Sequence, residues 1–168
     1  VVLLTTIDKD GNADVTPISC TFTLGTNAVI ALVKLNKAYH NVMEVPEVVF
    51  NLPSAEMWEK VEAIAPYTAQ NPVPPQKVGK YAYTDDKFAI GGFTQLPSEK
   101  VRVPRIAECP IQAEAVVKQV NDRGTYALIE LEFVQVHAED HLVMEENKIN
   151  PLAWEPLIYN FKHYYGLG

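Results

Sequence analysis

Apolar and polar positions alternate or cluster in a way that divides the chain into short elements. Val1 to Ile7 is a β-rich run, Asp10-Gly11-Asn12 is a turn signal, and Ala13 to Phe22 resumes as an extended segment, so the chain opens on a hairpin. Pro17 removes a backbone donor in the second strand, which makes that strand an edge or bulges it there. After a turn at Gly25 to Asn27, Ala28 to Leu35 is almost wholly apolar, the pattern of a strand buried on both faces.

From Asn36 to Val45 the period changes. Leu35, Ala38, Val42 and Val45 recur at helical spacing behind Asn36, a good N-cap type, and Pro46 stops the helix. Glu47 to Leu52 reads as a strand. Ser54 to Ala65 reads as a second helix with Met57, Val61 and Ile64 on one face. Pro66, Pro72, Pro74 and Pro75 then break regular structure, and this stretch is expected to be a lid or a dimer arm. Ile111 to Val117 alternates, Asn121 to Gly124 is a turn, and Ala127, Ile129, Leu131 and Phe133 alternate again. The phase then slips to Val134 and Val136, which predicts a bulge or barrel corner. The last thirty residues carry scattered aromatics: Trp154, Tyr159, Phe161, Tyr164 and Tyr165. Antiparallel strands, hairpin turns and two short helices without βαβ alternation predict a mainly β fold, a β-barrel with helical connections, as one domain over residues 1–168.

Composition narrows the function. At 168 residues, 48% hydrophobic and 21% charged, the chain has the make-up of an ordinary globular domain. No apolar run reaches the roughly 18 residues of a membrane span. The net charge of −7 argues against nucleic acid and against anionic membrane as partners. Cys20 and Cys109 match no metal or disulfide spacing, so a reducing cytoplasm is the default. The first residue is Val, and a native N-terminal piece is expected to precede it.

The charge is unevenly spread. Val15 to Met43 holds no Asp or Glu in 29 residues, where the chain average would put about 3–4, yet it holds Lys34, Lys37 and His40. A helix N-terminus with free N–H groups, joined by Lys37 and His40, would make a phosphate clamp. A buried strand followed by a solvated helix start would exclude acids equally well. Thr16 to Thr21 likewise reads two ways. Its hydroxyls and Pro-broken ladder suit a planar ligand, and an edge strand with ordinary Ser and Thr has the same composition.

Several runs together resemble one family. TTIDKDGNADVTPISCTF, then NKAYHNV leading into EVVFNLP, is similar to the flavin reductase-like, flavoredoxin-type FMN-binding split-barrel family. So is DKFAIGGFTQLPSEKVRVPRIAECPIQAEA, with its Lys87-Phe88, Gly92-Phe93-Thr94 and Pro104-Arg105-Ile106-x-Glu108-x-Pro110, and so is the closing Tyr164-Tyr165-Gly166-Leu167-Gly168. The resemblance implies a six-stranded antiparallel Greek-key barrel, a homodimer, and FMN near the dimer interface. Carried over by position, Thr16, Pro17, Ile18, Ser19, Cys20 and Thr21 match the loop facing the flavin ring. Asn36, Lys37, His40 and Asn41 match the phosphate-binding helix start. Phe93 and Thr94 match a loop near the flavin or the partner subunit, and Tyr164 matches a tail aromatic. Many relatives carry Thr three residues before the Asn41 position, where this chain has Ala38.

The resemblance implies an oxidoreductase passing electrons from NADH or NADPH through FMN to free flavin, ferric iron or a redox protein. A flavoredoxin-like carrier without NAD(P)H activity and a non-enzymatic ligand-binding barrel are the alternatives. No GxSxG, HExxH, P-loop or GxGxxG occurs, so any nicotinamide nucleotide has to dock transiently, and flavin-based chemistry requires no catalytic side chain. His137 and His141 are four apart, but His137 ends a strand run, so a solvated loop rather than a metal site is expected there. His163 reads as a surface histidine of the tail, Cys20 as a small buried residue and Cys109 as structural.

Overall fold

The computed structural model describes residues 1–168. The elements are β1 (Val2–Ile7), β2 (Ala13–Ile18), β3 (Thr21–Leu24), β4 (Asn27–Val33), α1 (Lys37–Glu44), β5 (Glu47–Leu52), α2 (Trp58–Ile64), α3 (Lys87–Gly91), β6 (Gln95–Leu96), β7 (Arg105–Ile106), β8 (Ile111–Asp122), β9 (Tyr126–Ala138), β10 (Ile158–Asn160) and β11 (His163–Tyr165). The main sheet runs β2-β1-β5-β8-β9-β4-β3, antiparallel throughout. Its two edges are consecutive pieces of one extended segment, interrupted only at Ser19-Cys20. The Cys20 carbonyl accepts the Ala31 amide at 3.2 Å, so the segment passes from β1 to β4. Counted as one bent strand, it closes the six-stranded barrel that the resemblance implies.

Pro17 lies opposite Leu3 on the edge strand β2, the kind of strand in which a sheet tolerates proline. The break expected of this strand falls two residues later, at Ser19-Cys20. The phase slip in β9 is a bulge. Glu114 pairs with Gln135 and Ala115 with Phe133, which leaves Val134 unopposed. One correction concerns His137. It lies within β9, not in a solvated loop, and its Nε2 is 2.6 Å from Oε1 of the fully buried Glu114. Burial alone would raise the Glu114 pKa. Bonds from the Glu99 amide, His137 and the Lys100 and Val101 amides more than offset this and hold the carboxyl below its usual range.

Leu4, Ile30, Leu32, Val48, Phe50, Ile129 and Leu131 fill the barrel, and Ala38 and Val42 of α1 pack with them. A second core lies between the outer face of the barrel and α2 and α3, with Leu3, Val15, Val61, Ile64, Phe88 and Ile106. β1 serves both, with Leu4 inside and Leu3 outside, and all six of its residues are buried. Asn51 ties the layers together. Its Nδ2 donates to the Leu3 carbonyl at 2.9 Å and its Oδ1 accepts the Ile106 amide at 2.7 Å. Of the C-terminal aromatics, Tyr159, Phe161, Tyr164 and Tyr165 belong to the β10–β11 hairpin, with Tyr159 opposite Tyr164.

Candidate functional site

The interruption between β2 and β3 leaves Ser19 exposed, and neither its amide nor its carbonyl has a hydrogen-bond partner in the protein. A cleft of about 440 Å³ opens beside it, inside the usual range of small-molecule pockets, about 300–1,000 Å³. Pro17, Ile18 and Ser19 form one side. Val33 and Asn36 approach from the end of β4 and the start of α1. Thr68, Lys77 and Tyr81 come from the proline-rich segment, and Tyr159 and Tyr164 from the C-terminal hairpin.

Lys77 is the cation of this cleft. Pro75 opens a single 3-10 turn, Pro75–Lys77, and the turn points Lys77 back at the barrel. Its ammonium donates to the Asn36 side-chain oxygen, to the Thr68 carbonyl at 3.2 Å and to the Thr68 hydroxyl at 3.0 Å. It also lies 4.8 Å from the centre of the Tyr81 ring. Burial, with a smaller contribution from Lys87, lowers its pKa to about 8. The proline-rich segment is therefore packed against its own chain. Ala69 bridges to Asn36, and the Lys37 amide donates to the Thr68 carbonyl at 3.3 Å. The first N–H of α1 is thus not free, contrary to the clamp expected from sequence.

The basic residues of the acid-free stretch are dispersed. Lys34 binds Asp122 on the β8–β9 hairpin at 2.5 Å. Lys37 lies 3.9 Å from Asp14 and 5.3 Å from the Tyr83 ring centre. His40 is exposed on α1 and stacks edge-on with Tyr39. Asn41 is buried and donates to the Thr6 hydroxyl at 3.0 Å, which takes its amide out of reach of any surface ligand. Asp14, one residue before the acid-free stretch, sits between Lys37 and Lys87. Lys87 of the Lys-Phe motif is itself buried, with its ammonium 3.0 Å from the Asp14 carboxylate.

Of the ring-loop residues, Pro17, Ile18 and Ser19 line the cleft. Thr16 is buried and donates to Asp14 at 3.3 Å. Cys20 and Thr21 are exposed beyond it, which corrects the expectation of a buried Cys20. Cys109 is buried as expected, and burial pushes its thiol pKa well up. Phe93 packs in the second core, and the Thr94 amide donates to Glu108 at 2.9 Å; neither lines the cleft. Tyr164 does. Burial, then the neighbouring Glu62 carboxylate, push its pKa up to about 12, so its hydroxyl stays protonated. The sequence pattern does not single out Lys77, Thr68 or Tyr81, and marks Tyr159 only as one of the tail aromatics. The run Pro74-Pro75-Gln76-Lys77, a proline-started turn ending on a Lys, is the available signal for Lys77.

The model of the flavin reductase like domain matches residues 1–168. The chain belongs to this family. It is 40% identical over 171 residues to the uncharacterized protein YdfE of Bacillus subtilis (strain 168), covering 99% of this chain and 82% of that protein. Its fold is similar to flavoredoxin of Desulfovibrio vulgaris (Miyazaki F), with a TM-score of 0.83 at 19% identity, covering 99% of this chain and 85% of that one. It is also similar to flavoredoxin from Methanosarcina acetivorans, with a TM-score of 0.82 at 17% identity, covering 100% and 84%. Family membership supports a flavin-related oxidoreductase with a flavin cofactor. The cleft fits such a group. It has unpaired main-chain polar groups at Ser19 for the edge of a planar ring, tyrosines for its surface, and a buried ammonium for an anionic end. No helix is long and apolar enough to cross a membrane.

Proposed function

We propose that this protein is an FMN-dependent, flavin reductase-like oxidoreductase that takes electrons from NADH or NADPH and passes them to free flavin, ferric iron or a redox protein. The observation that carries this reading is one cleft joining the unpaired Ser19 main chain to the Lys77 ammonium. FMN, when bound, supplies the redox chemistry. The chain binds, orients and shields. Ser19 offers one donor and one acceptor to the ring edge, and Pro17 and Ile18 bear on the ring. Lys77 and Asn36 hold the phosphate, and Tyr81, Tyr159 and Tyr164 keep water from the site. No side chain in the cleft has to gain or lose a proton for hydride transfer.

The test is the visible spectrum of the purified protein with one equivalent of FMN, followed by anaerobic addition of NADH or NADPH. A bound-flavin spectrum that bleaches with either nucleotide is the expected result. Bound flavin that bleaches with neither would remove the NAD(P)H assignment and favour the electron carrier. Absence of any FMN uptake would sink the flavin reading altogether.

We also propose that the protein is a homodimer. The outward face of β3, β4 and β9 carries Phe22, Leu24, Val33 and Tyr126, and Phe22 is 63% and Leu24 71% exposed. A contiguous apolar face of this kind suits a self-complementary interface. Sedimentation equilibrium is expected to give twice the chain mass, and Phe22→Glu to give monomers. A wild-type monomer at micromolar concentration would overturn the assignment.

A further inference from the structure

A second concavity of about 450 Å³ lies on the far side of Tyr164, between α2 and the C-terminal hairpin. Trp58 on the first turn of α2, Tyr164 and Tyr165 form its walls, and Tyr164 lines both cavities. Trp58 is 47% and Tyr165 51% exposed, a large aromatic surface left in water. Such surface converging on a hollow is the usual make-up of a small-molecule pocket, in which rings supply area and a few polar groups supply orientation.

The charged and imidazole side chains lining the hollow are Glu62, Lys162 and His163. Glu62 lies beside the Tyr164 hydroxyl, which burial first and this carboxylate second keep protonated. Lys162 forms no ion pair. It sits at the β10–β11 turn with φ 65°, next to Phe161 at φ 47°. Both are left-handed conformations that bulky residues rarely adopt, and here they make the tight turn that brings Lys162 to the rim of the hollow. At its base Gly166 abuts the Glu155 carboxylate and Ala55: a Cβ there would collide with the carboxylate and come within 3.2 Å of the Ala55 Cβ, so the acidic side of the hollow lies at its base and Lys162 at its rim.

We propose that this hollow is a binding site, separate from the first cleft, for a planar aromatic carboxylate, with its rings between Trp58 and Tyr165 and its carboxylate on Lys162. The site requires no flavin, so it stands or falls independently of the function proposed above. Its shared Tyr164 wall places an aromatic ligand next to the first cleft, where a substrate or product of that site could be held.

The experiment is calorimetric titration of the full, flavin-free chain with 2-naphthoate, and separately with uncharged 2-naphthamide, repeated after saturation of the protein with FMN. Binding of one naphthoate per chain is expected, unchanged by FMN. Trp58→Ala is expected to weaken both probes roughly ten-fold. Lys162→Gln is expected to weaken naphthoate about five-fold and leave naphthamide unaltered. Both residues are surface-exposed, so neither variant disturbs a core. The proposal is overturned if naphthoate fails to saturate at millimolar concentration or if Trp58→Ala binds it as well as wild type. It is equally overturned if FMN displaces the probe and Lys77→Met abolishes its binding, because the probe then lies in the first cleft. If FMN itself does not bind, the flavin-free titrations still decide the matter.

Discussion

Asp14→Ala is expected to lower stability by about 3–5 kcal/mol, the cost of leaving a buried ammonium without its counter-ion. Lys87 is 2% exposed and has no carboxylate partner other than Asp14, with the Thr16 hydroxyl 3.4 Å away. Burial lowers the Lys87 pKa, the Asp14 carboxylate raises it, and Lys37 lowers it again. Without Asp14 the two remaining influences both act against the charge, so folding must expel either a proton or the side chain. For a domain of this size the loss corresponds to a melting temperature lower by about 6–20 °C. The double variant Asp14→Ala/Lys87→Met is expected to recover most of this, since a methionine of similar length fills the space without a charge to solvate. Urea unfolding of the wild type and the two variants measures both steps. A single variant within about 0.5 kcal/mol of wild type, or a double variant no better than the single, would show that the pair does not anchor α3 to β2.

This pair also marks the boundary of what the sequence reveals. Period and turn chemistry are local, and they located the strands of the main sheet and the first two helices, through the Asp-Gly-Asn turn, the edge character of Pro17, the helix after Asn36 and the bulge at Val134. In each case the responsible residues are neighbours in the chain. The short α3, β6 and β7 and the β10–β11 hairpin carry too few periods to show. The position of Ser19 and Tyr164 on the cleft became legible through the family resemblance. What stayed hidden depends on residues distant in sequence. Asp14 and Lys87 are 73 residues apart and Lys77 and Asn36 are 41 apart, and no pattern within either segment announces its partner. The deficit of acids from Val15 to Met43 is genuine, but it measures composition along the chain. In space Asp14 and Asp122 return to Lys37 and Lys34, while the cation of the cleft arrives from a proline-rich loop. His137 was misplaced for a related reason. Its partner Glu114 lies across the β8–β9 pair, so the histidine is held in a strand that it looks, in sequence, to terminate.

Lys77→Met is expected to weaken FMN binding roughly 10–100-fold and to leave riboflavin, which has the ring but no phosphate, almost unaffected. A hydrogen bond to a charged group contributes about 1.5–3 kcal/mol, and every 1.4 kcal/mol is ten-fold in affinity. Lys37→Ala, the position favoured by spacing alone, is expected to do less, since Lys37 already faces Asp14. The pH dependence carries the same signature. The Lys77 pKa is depressed to about 8, and only the protonated form attracts phosphate. Wild-type affinity for FMN is therefore expected to hold below about pH 8 and to fall as the pH rises through it, while the methionine variant stays flat. The stability effect has the opposite sign. The unfolded chain keeps the Lys77 proton up to about 10.5, so burying the charged form opposes folding at neutral pH and this cost fades above about pH 8. Removing the charge should therefore not unfold the protein, and fluorescence titration with FMN and riboflavin across this range separates binding from folding. Equal loss for the two ligands, or no loss for FMN, would place the phosphate away from Lys77 and remove the main electrostatic support for the cleft as a flavin nucleotide site.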